Sequence, residues 1–346
     1  MKSFEENYIK TLKIPPAVIS QISSLSEFKG KERLYEKQSP DTLDSLVQLA
    51  KIESAESSNR IEGVIVPHKR VEALFRNSKP RNRSEEEVAG YRDALNRIHE
   101  MHEGMELSEN VVLMFHAVIY KYTNIKAGEW KRGDNKIVER LPDGTTKVRF
   151  EPVSAFKTPA YMENLIRSYH YYEGQEHLGS LILVPLFILD FLCVHPFKDG
   201  NGRMARLLTL LLLYQAGFRV GKYISLERVI EESKETYYDS LYESSQGWHE
   251  GKHDPIPWLR YFYGVLTAAY KEFESRVGVF RSKQTKSERI LNKIRESTQP
   301  FSVSDLQASC PDAGIDLIRK ILKELQKSGK VKPLSRGRYA KWVLIR

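Results

Sequence analysis

One apolar run, Leu181 to Val194, reads LILVPLFILDFLCV and is interrupted only by Pro185 and Asp190. It is shorter than the roughly 20 residues a membrane span needs. It also carries a proline and an acid and ends at a histidine, so it predicts a helix of about residues 178–194 buried at the centre of a domain. A second apolar helix is expected at about 202–216, ended by Gly217, with the polar segment HPFKDGNG joining the two. Upstream, Leu43, Leu46, Val47 and Ala50 recur at helical spacing behind Ser39-Pro40, which reads as an N-cap and first helical position. That helix is expected to run to about Arg60 and stop near Gly63. Ser84, followed by Glu85, Glu86 and Glu87, predicts another helix start with acids suited to its first turn. Arg132 to Phe150 reads as a hairpin, in which Ile137-Val138 and Lys147 to Phe150 flank the turn tripeptide Pro142-Asp143-Gly144. Pro255-Ile256-Pro257-Trp258 starts the last helix of this part.

The pattern changes beyond a polar linker at 281–285. Glu288 to Glu296, Ser304 to Ala308 and Ile315 to Lys327 read as helices, the third with Ile318, Ile321, Leu322 and Leu325 on one face. Lys330 to Ile345 reads as two strands around Ser335-Arg336-Gly337, an order that suits a winged helix-turn-helix. The expected fold class is mainly α with one small β-hairpin. Three parts are expected: a helical N-terminal region (1–105), a helical core (106–280) and a winged-helix domain (281–346).

Charge sharpens this division. From Thr285 to Arg346, 14 Lys and Arg stand against 6 Asp and Glu, an excess of 8 that leaves only +1 of the net +9 to the rest. An argument for nucleic acid therefore belongs to the C-terminal segment. The two cysteines, Cys193 and Cys310, form no CxxC pair, which argues against a disulfide framework or a structural zinc and for a reducing compartment. MKSFEENYIK lacks the apolar stretch of a secretory signal. A cytoplasmic protein without membrane contact is expected.

The chemistry is concentrated in His195-Pro-Phe-Lys-Asp-Gly-Asn-Gly-Arg-Met-Ala-Arg206. Gly200 and Gly202 allow a tight turn and close backbone approach to a ligand. At the start of a helix their N–H groups have no intrahelical acceptor and suit an anion. Arg203 and Arg206, three apart, share a helix face and could grip phosphate oxygens. Asp199 offers an oxygen ligand to a magnesium ion bridging phosphates. His195 can take a proton near neutral pH.

This segment resembles the Fic family motif, HxFx(D/E)GN(G/K)RxxR, at every defined position, and the wider resemblance covers about residues 40–275. It implies a mostly helical enzyme that moves AMP from ATP onto Ser, Thr or Tyr hydroxyls of target proteins. By position, His195 would be the base, Asp199 would hold Mg²⁺, and Gly200 to Arg206 (Gly200, Asn201, Gly202, Arg203, Met204, Ala205, Arg206) would form the nucleotide-binding stretch. Arg203 and Arg206 would take the outer phosphates, and Phe197 would pack inward to brace the loop. The 132–150 hairpin would be a flap that pairs with the target backbone. Tyr238 is expected beside the nucleotide base, although an aromatic at helical spacing also fits a core position. His170, His177 and His249 show no ligand spacing.

Ser58-Asn-Arg-Ile-Glu62-Gly63 fits a second pattern of the same family, (S/T)xxxE(G/N). Alone it is also a polar helix end capped by glycine. With the first motif it implies an inhibitory segment, Ser58, Glu62 and Gly63, in which Glu62 pairs with Arg206 and misplaces ATP. The implied partners are target-protein hydroxyls, its own among them, DNA or a docked protein at 285–346, and a second copy in a homodimer. Two other readings stay open: removal of AMP with Glu62 orienting water, and a DNA-binding regulator whose core senses nucleotide.

Overall fold

The structure is a computed structural model. It describes residues 1–38, 40–140, 145–175, 178–283, 286–297, 299–311, 313–335, 337 and 340–345. The expected N-cap Ser39, the 142–144 turn, His177 and Arg336 lie outside these residues. The chain divides into two compact units, Met1–Phe273 and Glu274–Arg346.

The first unit is largely helical. In chain order come α1 (Glu6–Thr11), α2 (Pro16–Gln38), α3 (Pro40–Ile61), α4 (His68–Phe75), α5 (Arg83–Met101) and α6 (Glu109–Ile119). The antiparallel hairpin of β1 (Ile137–Arg140) and β2 (Thr146–Phe150) follows. Then come α7 (Thr158–Glu173), α8 (Ser180–Val194), α9 (Asn201–Gln215), α10 (Leu226–Glu232), α11 (Lys234–Ser245) and α12 (Ile256–Lys283), whose residues from Glu274 onward belong to the second unit. Two boundaries differ from the sequence reading. The cap of α5 is Asn82, whose side chain accepts from the Glu85 N–H at 3.0 Å, rather than Ser84. Residues 281–283 continue α12 instead of forming a linker.

Helix α8 sits at the centre, with 12 of its residues buried, as its largely apolar sequence requires. Pro185 has no N–H to give to the Leu181 carbonyl one turn back, and a buried carbonyl left unpaired is costly. The Tyr263 hydroxyl supplies that bond at 2.7 Å, while Trp258 Nε1 donates to the Pro185 carbonyl at 2.8 Å. Both donors come from α12, so the proline helps fix how these helices pack. Asp190, wholly buried in α8, accepts from Ser3 N (3.1 Å), Ser3 Oγ (2.6 Å) and Trp248 Nε1 (2.5 Å). Ser3 Oγ also lies 2.9 Å from His253 Nε2. Among the described residues no helix is long and apolar enough to cross a membrane.

The second unit contains α13 (Lys286–Glu296), β3 (Phe301–Ser302), α14 (Val303–Ser309), α15 (Ile315–Lys327), β4 (Val331–Pro333) and β5 (Lys341–Leu344). Its antiparallel sheet has the order β3-β5-β4. Ile290, Ile294, Phe301, Leu306, Ile318 and Leu322 share its core. Ser302 and Asp305 form a reciprocal cap at the start of α14.

Candidate active site

The segment between α8 and α9 is held rigid by its own side chains. His195 ends α8 in the left-handed region (φ 50°, ψ 60°), its N–H still bonded to the Phe191 carbonyl. A β-carbon there costs on the order of 1 kcal/mol, so the surroundings must hold the turn. They do so through Phe197, which is fully buried and stacks on His116 with ring centres 3.7 Å apart. Asn201 clamps the same turn, accepting from Phe197 N (2.9 Å) and donating to Phe197 O (2.8 Å). Asn135 donates to Phe197 O at 3.0 Å, and Lys131 Nζ donates to Val194 O at 3.1 Å. Burial pushes the Lys131 ammonium down to about 8.

His116 Nδ1 accepts from the Gly128 N–H and its Nε2 faces the Asp199 carbonyl at 3.1 Å. A carbonyl can only accept, so His116 carries its proton on Nε2, and burial lowers its pKa to about 4. The same logic applies to His195. Its Nδ1 lies 3.3 Å from the Leu192 carbonyl and therefore holds the proton, leaving the Nε2 lone pair free. Burial lowers the His195 pKa to about 4, so the ring is neutral at physiological pH.

Glu62, His195, Asp199, Gly200, Asn201, Gly202, Arg206 and Tyr238 all line one cleft of about 220 Å³. Ile137 of β1 and Arg149 and Phe150 of β2 form its hairpin wall. Tyr237, Tyr238, Leu241 and Tyr242 of α11 form another, with Tyr238 37% exposed and Tyr237 buried. Asp199, with its side chain 62% exposed, carries the loop's carboxylate into the cleft.

Arg206 is 3% exposed. Its Nε donates to Ser58 Oγ (2.8 Å), and its Nη2 donates to the Ser58 carbonyl (2.9 Å) and to Glu62 Oε1 (2.7 Å). Burial is the largest single influence and opposes the charge, but the Glu62 carboxylate together with Tyr237 and Tyr91 outweighs it and holds the arginine pKa above its ordinary value. Nη1 is buried without a hydrogen-bond partner and lies beside Gly202. A Cβ at Gly202 would meet Glu62 Oε1, so a side chain there would push the end of Glu62 aside. Gly63, at φ 83°, turns the chain away just after Glu62.

Three features are placed differently from the expected geometry. Arg203 is 2% exposed and does not line the cleft. It turns towards α5 and α6, donating to Glu87 Oε2 (2.7 Å), the Tyr120 hydroxyl (2.7 Å) and Asn59 Oδ1 (3.4 Å). Met204 and Ala205 are also buried and outside the cleft, since successive helical residues point in different directions. The Gly200 N–H, expected to face a ligand, donates to Asp199 Oδ1 at 2.7 Å. The first turn of α9 nonetheless has no side-chain cap. Lys131, Asn135, His116, Tyr120 and Glu87 were not found from sequence, because each reaches the loop across a long chain separation.

Residues 106–213 match the model of the Fic/DOC family. A Fido domain-containing protein of Dictyostelium discoideum is 34% identical over 67 residues, 18% of this chain and 47% of that protein, so the match spans about half of the relative's length. Among solved structures, a Fic family protein from Desulfovibrio desulfuricans superposes with a TM-score of 0.64 at 19% identity, over 96% of this chain and 97% of that one. A Fic domain containing signaling protein from Bacteroides thetaiotaomicron gives 0.61 at 22% identity, over 75% and 97%. Fic-1 from C. elegans gives 0.58 at 18% identity, over 78% and 74%. The helical core thus has the Fic fold, and residues 106–213 are similar to the Fic/DOC family.

Proposed function

We propose that the protein transfers AMP from ATP onto a hydroxyl of a protein substrate and that Glu62 restrains it. The observation that carries this reading is the state of Arg206. A guanidinium so buried, with Nη1 unpartnered beside an uncapped helix start, suits a phosphate oxygen better than the single carboxylate that now holds it.

In this reading His195 Nε2 takes the proton of the attacking hydroxyl. The hydroxyl oxygen forms a bond to the α-phosphorus, and the bond from that phosphorus to the bridging oxygen breaks. Pyrophosphate leaves with the electron pair. The free N–H groups at the start of α9 stabilise the charge that develops on the phosphate, and Tyr238 offers a surface for the base. Asp199, whose exposed carboxylate lines the cleft, would hold a magnesium ion. Such an ion would neutralise charge on the leaving phosphates.

Incubation with α-labelled ATP and cell lysate tests the reading. Glu62→Gly should label strongly, wild type weakly, and His195→Ala with Glu62→Gly not at all. Labelling that survives loss of His195 would remove it as the base. If Glu62→Gly instead only stops release of AMP from a premodified target, Glu62 orients water for removal.

A second reading concerns the C-terminal unit. Arg319, Lys320, Lys323 and Lys327 lie exposed on α15, while Ile318, Ile321 and Leu322 face its core. That basic outer face suits duplex phosphates. Retardation of duplex DNA at low salt by the full chain, lost in Lys323→Glu/Lys327→Glu, supports it.

A further inference from the structure

The last turn of α3 reaches three different helices with three consecutive residues. Glu62 reaches Arg206 on α9. The carbonyl of Ile61 accepts from Lys234 Nζ, at the start of α11, at 2.7 Å. The guanidinium of Arg60 holds Glu231 on α10 in a two-point pair, Nε to Oε1 at 2.7 Å and Nη2 to Oε2 at 2.9 Å. Arg60 Nη1 also meets Glu56 Oε1 at 2.5 Å, and Glu56 Oε2 lies 2.8 Å from His68 Nδ1 on α4. Neither Arg60, Glu231 nor Lys234 lines the cleft.

A helix end frays unless its carbonyls and side chains are held. Here the hold on Ile61 and Arg60 comes from outside the cleft, while Ser58, one turn back, keeps its own contacts with Arg206. Loosening the outer hold therefore frees Glu62 and leaves Arg206 oriented. Lys234 also lies 5.9 Å from the centre of the Tyr238 ring, so one ammonium touches both the end of the inhibitory helix and the aromatic wall of the cleft.

We propose that the Arg60–Glu231 pair and the Lys234–Ile61 carbonyl bond form a latch that sets how firmly Glu62 occupies Arg206. Glu231 and Lys234 act as positioning residues of the brake. This inference rests on the reading of Glu62 as an inhibitory residue.

The test compares initial labelling rates with α-labelled ATP. Glu231→Gln and Lys234→Met should each raise labelling roughly two- to fivefold, the factor expected from loss of one partly exposed charged contact. Both should stay below Glu62→Gly. Lys234→Arg, which keeps a donor, should remain near wild type. Glu231→Gln added to Glu62→Gly should change nothing further, because that pair acts only through the Glu62 carboxylate. A purely structural role would lower the melting temperature without raising labelling and would overturn the proposal, as would equal gains with and without Glu62. If Glu62→Gly is itself silent, the inhibitory reading fails. If Glu62→Gly is active and both latch variants stay at wild-type rates, the latch alone fails.

Discussion

Arg203 and Arg206 stand nearly one turn apart on α9, and both are almost completely withdrawn from solvent. Their surroundings make them different devices. On the α5 side, Arg203 meets Glu87, itself buried, together with the Tyr120 hydroxyl and Asn59. None of these four residues lines the active-site cleft, although Asp199 of its rim lies 3.8 Å from Arg203, so the charges are matched chiefly within the fold. On the cleft side, Arg206 is matched by Ser58 and by Glu62, whose side chain is 30% exposed and sits at the end of a helix. One arginine is part of the framework. The other is held by a carboxylate that a ligand could replace. Two residues of one motif, only about 60° apart around the helix, can therefore differ in role because their long side chains reach different neighbours.

The largest expected effect tests the framework side. Arg203→Ala leaves Glu87 buried with only the exposed Arg83, which reaches its Oε1 at 3.2 Å. Urea unfolding should show a loss of about 3–5 kcal/mol, towards the lower end because that contact survives. A loss under 1 kcal/mol would mean that Arg203 is no framework residue. Next comes the cleft side: Arg206→Ala in a Glu62→Gly background should reduce labelling by about 10²–10³. Labelling that persists would erase the distinction between the two arginines.

An acid titration follows. Burial lowers His99 to about 3 and His116, His195 and His253 to about 4. Unfolded, each takes its proton near 6.5, so their contribution to stability falls as the pH drops through 6.5 towards 4. Burial raises Glu32 to about 7 and Asp190 to about 6, which works the other way, since the folded state keeps protons the unfolded chain has lost. Four groups outweigh two, so stability should fall by about 2–3 kcal/mol per pH unit between about 6 and 5. Unfolding curves that are flat across that window would contradict the buried, neutral state of these histidines. Labelling in the Glu62→Gly background should still hold level down to about pH 5, because His195 stays unprotonated there. The smallest effect is on the stability of Glu62→Gly itself, within about 1 kcal/mol of wild type by the same urea method, because water can enter the cleft and Ser58 still holds Arg206.

The apolar run of α8, the helix after it and the hairpin were legible because each announces itself within a few residues. His195 and its loop were legible for the same reason, as a dense run of reactive side chains. What sequence could not reveal was direction and distant partners. Nothing near Arg203 points to Glu87, 116 positions away, or near Pro185 to Tyr263. Strand β3 was missed because its two residues carry no alternation, and their pairing with Lys341 and Trp342 is a tertiary fact.

Ser3 has a consequence for how the chain is made. Its partners Asp190 and His253 are made 187 and 250 positions later. At the usual pace of synthesis, about 5–20 residues per second, the N-terminal segment waits roughly 12–50 seconds before all its contacts exist. During that interval Phe4 and Ile9, both buried in the finished fold, have no permanent place. The segment around Ser3 therefore settles only after residues as far as His253 have been made.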